Sequence, residues 1–115
     1  MGLTTMKRSE YNHARRYMGM PTYICLARWT SKGLENIKDS PSRLDAGRRL
    51  FLSTGVTLKE FFMVTGQYDM VLIAEAPDDT AIAKAVLSLA SKGAIQSETL
   101  RAFTESEYRS ILSGL

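Results

Sequence analysis

Residues 22–29 constrain the fold most, because they show a strand pattern that is largely apolar on both sides. One side carries Tyr23, Cys25, Ala27 and Trp29, and the other carries Ile24, Leu26 and Arg28. An antiparallel strand with one face in water would show polar residues along that face. We therefore expect this strand to lie in a sheet that is covered by protein on both sides.

The first half of the chain continues with a helix in two parts and a strand. Thr30 is expected to cap the first part, and Ser40-Pro41 is expected to restart the helix with a cap and a proline at its first position. Gly55 ends this helix. A strand is predicted over residues 56–65, with Leu58 and Phe62 on one side.

The second half begins at a hairpin and ends in a short helix. Gly66-Gln67 is predicted to be a two-residue turn leading to a strand over residues 68–76. Asp78 is expected to cap the next helix, which Gly93 closes, and residues 94–103 are expected to be the fourth strand. Thr104 and Glu107 have the spacing of a capping box, which predicts the C-terminal helix.

The element order β-α-β-β-α-β predicts an α+β, ferredoxin-like fold with a four-stranded antiparallel sheet and a short C-terminal helix. Both main helices then cover one face of the sheet. The other face needs a cover as well, because Tyr23, Trp29, Met70 and Leu72 are too apolar for all of them to be left in water. A second copy related by a two-fold axis would cover them, so the predicted partner is the chain itself, as a homodimer or higher oligomer.

The distribution of charge argues against nucleic acid as a partner. The chain has 115 residues and a net charge of +3, and this excess lies within residues 1–19. Residues 20–115 form one predicted domain that is neutral overall, whereas a nucleic-acid-binding domain carries basic residues on its folded surface. Residues 1–19 are interpreted as a flexible basic extension, or as sequence upstream of a start at Met20. They lack the apolar core of an export signal, and no apolar stretch is long enough for a membrane span.

Two single residues narrow the chemistry further. Cys25 is the only cysteine, so an intrachain disulfide is excluded and a cytoplasmic location is favoured. His13 is the only histidine and lies in the extension, which leaves the predicted domain without a histidine-based triad. No metal site and no cofactor are expected, because neither carboxylates at metal-ligand spacing nor a phosphate-binding glycine pattern is present.

Six short stretches together resemble one family. They are Met20–Tyr23, Glu35–Pro41, Arg43–Ala46, Gly66–Asp69, Ile73–Asp79 and Thr99–Thr104. In these stretches the chain is similar to GYD-domain proteins, a small bacterial and archaeal family, from Met20 to about Leu112. The resemblance implies a dimeric α+β barrel. That superfamily includes cofactor-free oxygenases, isomerases, stress-response proteins and ligand-sensing modules, so the resemblance does not imply an activity.

The candidate site residues have two interpretations each. Tyr68 and Asp69 either bind a ligand or pack and satisfy a nearby backbone amide after the turn. Arg101, inside the last predicted strand, either binds an anion or pairs with Glu75 or Glu98. The ligand-binding candidates are Tyr68, Asp69, Arg101 and Trp29, and the catalytic candidates are Tyr68, Asp69 and Glu75. Trp29, Tyr23, Phe61, Phe62 and Met63 either line an aromatic pocket or pack in the core or a dimer interface.

These residues leave three functions open. The first is a homodimeric module that binds or senses a small ligand. The second is a cofactor-independent oxygenase or isomerase, in which Tyr68 or a carboxylate removes a proton from a small carbonyl or aromatic substrate. The third is an assembly or adaptor protein that acts through its surfaces and the basic extension. The sequence does not decide whether the protein is an enzyme.

Overall fold

The computed structural model describes residues 20–115, so the predicted basic extension and His13 lie outside the described residues. The elements are β1 (Thr22–Trp29), α1 (Ser31–Glu35), a 3-10 turn (Ile37–Asp39), α2 (Ser40–Ser53), β2 (Thr57–Met63), β3 (Met70–Glu75), α3 (Asp79–Ala90), β4 (Ile95–Ala102) and α4 (Glu105–Ser113). The strands form an antiparallel sheet in the order β2-β3-β1-β4. The predicted α+β, ferredoxin-like fold with a C-terminal helix is therefore confirmed.

Side-chain caps begin three of the helices where the sequence predicted them. The Thr30 side chain accepts a hydrogen bond from the Gly33 amide, and Asp78 accepts one from the Ala81 amide. Thr104 and Glu107 form a complete capping box at α4. Each cap satisfies an amide that the first turn of a helix leaves without a backbone partner.

The predicted cap at Ser40 is wrong. Ser40 is the first residue of α2, and Asp39 occupies the capping position without a side-chain hydrogen bond. The backbone of Asp39 is already helical, with φ −86° and ψ −2°. The 3-10 turn therefore leads directly into α2, and the extended residue that normally carries a cap is missing at this junction.

Strand β2 departs from simple alternation because its register shifts between Leu58 and Glu60. Leu58 lies opposite Ala74 and Phe61 lies opposite Leu72, so Leu58 and Phe61 share a face of the sheet. The sequence had placed Leu58 with Phe62. That prediction is wrong, since an extra residue in one strand reverses the facing of all residues after it.

The hairpin between β2 and β3 is present, but its loop is longer than the predicted two-residue turn. The Val64 amide donates to the Asp69 carbonyl at 2.9 Å, which leaves residues 65–68 as the loop. Gly66 has φ +152°, so the expectation of a positive φ at this glycine is confirmed. Tyr68 is the last residue of this loop, and its hydroxyl donates a hydrogen bond to Glu98 of β4.

The core lies between the sheet and helices α2 and α3. Tyr23, Met70 and Leu72 are buried in it, together with Phe51 of α2 and Ile82 of α3. Tyr23, Met70 and Leu72 thus lie on the helix-covered face, and Trp29 packs against the same cluster. Our placement of Tyr23, Trp29, Met70 and Leu72 on the uncovered face is therefore wrong, because alternation alone does not tell which of two apolar faces the helices cover.

The other face of the sheet is also apolar. Ile24 lies opposite Ile73 and Leu26 lies opposite Val71, and these four side chains are half-buried by their neighbours in the sheet. Phe62 and Leu100 extend the patch and are 50% and 41% exposed. We call these six residues the open face. Helices α1 to α4 are the helices of the described chain, and none of them is long and apolar enough to cross a membrane.

Candidate ligand-binding site

A cavity of about 650 Å³ lies between α2 and the sheet. Helix α2 contributes Leu44, Gly47, Leu50 and Phe51, and the strands contribute Trp29, Leu58, Phe61, Met70, Leu72 and Ile95. The volume falls within the range of about 300–1,000 Å³ that is usual for small-molecule pockets. A mostly apolar wall with few polar groups is also typical of such pockets.

The way α2 packs explains why the cavity exists. Phe51, near the C-terminal end of α2, is only 1% exposed and holds that end of the helix in the core. Leu44 and Leu50 are half-buried and line the cavity instead of filling it. Gly47, at the middle of the helix, has no side chain to fill the space beside Leu89 of α3. The apolar stripe of α2 therefore leaves space between the helix and the sheet.

The charged residues that line the cavity are all basic. They are Arg43, Arg49 and Lys92, and no aspartate or glutamate of residues 20–115 belongs to the lining. Arg43 donates to the Asn36 carbonyl at 2.8 Å and to the Gly33 carbonyl at 3.1 Å, so it ties α1 to α2. Within the described chain, the side chains of Arg49 and Lys92 make no hydrogen bond or ion pair.

Four residues were predicted to bind a ligand, and of these four Trp29 lines the cavity, whereas Tyr68, Asp69 and Arg101 do not. The Trp29 backbone amide donates to a carboxylate oxygen of Asp69 at 3.0 Å, and the Asp69 amide donates to the Ala27 carbonyl at 2.9 Å. Asp69 therefore fixes the end of β1 and, with it, the backbone position of Trp29. A direct contact of Asp69 with a ligand stays a prediction.

Tyr68 points away from the cavity lining and belongs to a polar cluster on the sheet. Its hydroxyl donates to a carboxylate oxygen of Glu98 at 2.6 Å, and the Arg28 guanidinium lies 4.7 Å from the centre of its ring. The hydrogen bond to Glu98 raises the pKa of Tyr68 above its usual value. A raised pKa makes the phenolate scarcer at neutral pH, which disfavours Tyr68 as a general base.

The expected pairing of Arg101 with Glu75 or Glu98 is wrong. Arg101 lies opposite Tyr23 in the register of β1 and β4, whereas Glu98 lies opposite Leu26 and thus faces the other side of the sheet. Glu75 pairs with Lys59 at 3.9 Å. The reason is parity, because residues 98 and 101 are separated by an odd number of positions and so point to opposite faces.

Arg101 instead joins a cluster that the sequence did not reveal. Its guanidinium lies 4.4 Å from the centre of the Phe103 ring and 3.8 Å from a carboxylate oxygen of Glu107. The Tyr23 ring lies 5.7 Å away, and the Tyr23 hydroxyl donates to Asp79 at 2.5 Å. Burial, followed by this hydrogen bond, raises the pKa of Tyr23 to about 12. The cluster connects β1, the first turn of α3 and α4, and lies outside the cavity lining.

Other reactive groups are sparse in the described chain. Cys25 is buried under the helices, and burial raises the pKa of its thiol despite a contact of 3.7 Å with the Thr99 hydroxyl. In residues 20–115, no group of three or more histidine, cysteine, aspartate or glutamate side chains is placed to hold a metal ion. The cavity is thus the feature of this fold that is best suited to a ligand.

Several solved structures share the fold. One is a feast or famine regulatory protein from Mycobacterium tuberculosis, solved in complex with L-methionine, with a TM-score of 0.58 and 11% identity over 77% of this chain and 54% of that chain. A leucine response regulatory protein from the same organism has a TM-score of 0.57 and 10% identity, covering 77% of this chain and 55% of that chain. At this identity the likeness concerns the fold alone, and this chain spans about half the length of each regulator.

Comparison of sequences finds a relative with higher identity than these two regulators. A protein of Thermus thermophilus that is named glutamine synthetase and cystathionine beta-lyase binding protein is 37% identical over 84 residues, which cover 72% of this chain and 88% of the relative. The profile of the GYD domain matches residues 23–112, which include all four strands of the sheet except the first residue of β1. The resemblance inferred from the six short stretches is confirmed, and the chain belongs to the GYD domain family.

Proposed function

We propose that this protein is a homodimeric module that binds a small apolar or aromatic molecule in the cavity between α2 and the sheet. The cavity itself carries the proposal, because about 650 Å³ of space walled mainly by apolar side chains leaves apolar surface that a ligand would remove from water. Burying apolar surface of a ligand there contributes roughly 25 cal/mol for each Å² removed from water. Trp29 and Phe61 in the wall favour aromatic ligands through ring contacts.

An oxygenase or isomerase is less well supported by this geometry. Proton removal needs a base whose pKa lies near the working pH and which reaches the substrate. The catalytic candidates Tyr68, Asp69 and Glu75 are not among the residues that line the cavity. The charged lining residues of the described chain are Arg43, Arg49 and Lys92. Arginine does not act as a base, which leaves Lys92 as the one charged lining side chain of residues 20–115 that could accept a proton. Binding without turnover is therefore the simpler interpretation.

The open face supports the homodimer. Ile24, Leu26, Val71 and Ile73 form two cross-strand pairs at its centre, and exposed apolar patches of this kind mark protein contacts. A second copy offers the same surface, as two-fold symmetry requires. The GYD resemblance also implies a dimeric barrel.

Light scattering during gel filtration tests the dimer. The wild-type chain should elute as a dimer, and Ile24→Glu should elute as a monomer because it places a charge at the centre of the contact. Ser97→Glu is the matched control, since Ser97 is exposed and lies opposite Ala27 on the other face. A monomeric wild-type chain at micromolar concentration would show that the dimer is wrong.

Calorimetric titration with phenylbutanoate and with its neutral amide tests the cavity. At least one of the two should bind, and Leu50→Phe should weaken binding by narrowing the cavity. Leu52→Phe is the matched control, because Leu52 lies on the same helix, is 61% exposed and does not line the cavity. If neither compound binds, or if both variants bind like the wild type, the cavity is not the ligand site.

A second function, as an adaptor that binds enzymes, is favoured by the relative from Thermus thermophilus. Its name states that it binds glutamine synthetase and cystathionine beta-lyase, and it is 37% identical to this chain. Purified glutamine synthetase and purified cystathionine beta-lyase should then be retained by the immobilised full chain, with serum albumin as the control. Absence of binding to both enzymes at micromolar concentration would exclude these two partners for this chain.

A further inference from the structure

We propose that the cavity selects an amphipathic monoanion, with an apolar or aromatic body inside and a carboxylate held at the mouth by Arg49 and Lys92. This inference rests on the proposed function, since it names the chemical class of ligand for the same cavity. It adds a charge requirement that an apolar wall by itself does not impose.

The wall dictates the body of the ligand. Leu44, Leu50, Phe61 and Leu72 offer no hydrogen-bond partner to a polar group, and burying an unpaired polar group costs free energy. The portion of a ligand that enters between α2 and the sheet is therefore apolar. Any charge on the ligand has to remain where the lining residues are charged.

The charge at the mouth dictates the head group. Arg49 belongs to α2 and Lys92 follows α3, so the two cations reach the cavity from different elements. Both residues are exposed, and within residues 20–115 neither side chain has a hydrogen-bond or ion-pair partner. Arg43 is different, because backbone carbonyls already accept hydrogen bonds from its guanidinium.

The surroundings of Lys92 strengthen the positive potential. The Lys32 ammonium donates to the Lys92 carbonyl at 3.1 Å, which brings a further cation to the same edge of the cavity. No carboxylate of the described chain lines the cavity to offset these charges. A carboxylate would form charge-assisted hydrogen bonds with Arg49 and Lys92, and an ammonium ligand would meet like charges.

A matched pair of probes separates this inference from the proposed function. Phenylbutanoate and phenylbutanamide have nearly the same size and shape, but only the first is charged at neutral pH. Trp29 is the only tryptophan in the chain and lines the cavity, so its fluorescence reports occupancy for both compounds. The full chain should bind the acid about three- to tenfold more tightly than the amide at low ionic strength.

Charge-neutral variants locate the head group. Arg49→Gln and Lys92→Gln should each reduce the preference for the acid over the amide. The double variant, with both substitutions, should reduce this preference by about three- to tenfold. Lys84→Gln should leave the preference unchanged, because Lys84 is an exposed residue of α3 that does not line the cavity. Raising the salt concentration should reduce the preference as well.

The outcomes are distinct. Equal binding of acid and amide would overturn the anion requirement and leave the proposed function intact. Binding of neither compound would overturn both. A preference that persists in Arg49→Gln and Lys92→Gln would overturn the assignment of the head group to these two residues.

Discussion

The same substitution at two helical glycines is expected to change stability in opposite directions. Gly47 lies inside α2, and a Cβ atom built there would lie 3.6 Å from Leu89 Cδ1, which is ordinary van der Waals contact. Gly33 lies inside α1 and is buried, and a Cβ atom there would lie 2.2 Å from the Ala94 carbonyl oxygen. Alanine is therefore accommodated at the first position and obstructed at the second.

The expected changes in the free energy of unfolding follow from helix propensity at Gly47 and from the close approach at Gly33. A glycine inside a helix costs about 0.5–1 kcal/mol relative to alanine, so Gly47→Ala should raise the free energy of unfolding by that amount. The added methyl group also fills part of the cavity. Gly33→Ala should lower the free energy of unfolding by about 1–3 kcal/mol, the usual cost of overpacking. The obstructing atom belongs to the backbone, and the Ala94 carbonyl also accepts a hydrogen bond from the Thr30 amide.

Urea denaturation and thermal unfolding of the two variants and the wild type, each followed by circular dichroism, measure both effects. The thermal midpoint of Gly47→Ala should rise by about 2–8 °C, given about 4–8 °C for each kcal/mol in a domain of this size. A Gly47→Ala variant that is less stable than the wild type would show that α2 lies closer to α3 than described. A Gly33→Ala variant of wild-type stability would refute the close approach of α1 to the start of β4.

Three further outcomes are expected from single contacts. Asp69→Ala should lower the free energy of unfolding by about 1.5–3 kcal/mol in urea titrations, because the Trp29 amide loses a charged acceptor, whereas Asp69→Asn should cost less. Tyr23 has its pKa raised to about 12 in the folded state, so its contribution is present below pH 10 and is lost as the pH rises to 12. Tyr23→Phe, which also removes the contact with Asp79, should therefore show a smaller loss of stability between pH 10 and 12; an equal loss would contradict the shift. Cys25 should react with a thiol reagent only as fast as the chain unfolds, because the thiol is buried and its pKa is raised; rapid labelling of the native protein would contradict this.

The sequence predicted the features that depend on neighbouring residues. The caps at Thr30, Asp78 and Thr104 each join residues three positions apart, so the spacing of residue types along the sequence is enough to predict them. The element order follows from the same local patterns. One exception is local as well, since the bulge after Leu58 falls at the charged pair Lys59-Glu60 and shifts every later side chain of β2 to the other face.

The sequence did not predict the features that depend on how elements meet. The hydrogen bond between Tyr23 and Asp79 joins residues 56 positions apart, and the one between Tyr68 and Glu98 joins residues 30 positions apart. The cavity is of the same kind, because it is set by how α2 rests above the sheet. For Trp29 the sequence left pocket lining and core packing open, and the structure shows both, because Trp29 packs against the core cluster and also lines the cavity.

The alternation of β1 separates the two parts of the proposed function. Trp29 faces the cavity, whereas Ile24 and Leu26 face the open side, so the ligand site and the proposed dimer contact are built from alternate residues of one strand. Substitutions at the open face therefore leave the cavity wall intact. If Ile24→Glu yields a folded monomer that binds phenylbutanoate as the wild type does, the cavity functions within one chain. If binding is lost together with the dimer, the second copy stabilises the sheet on which the cavity is built. Ligand binding and dimer formation are then coupled through β1.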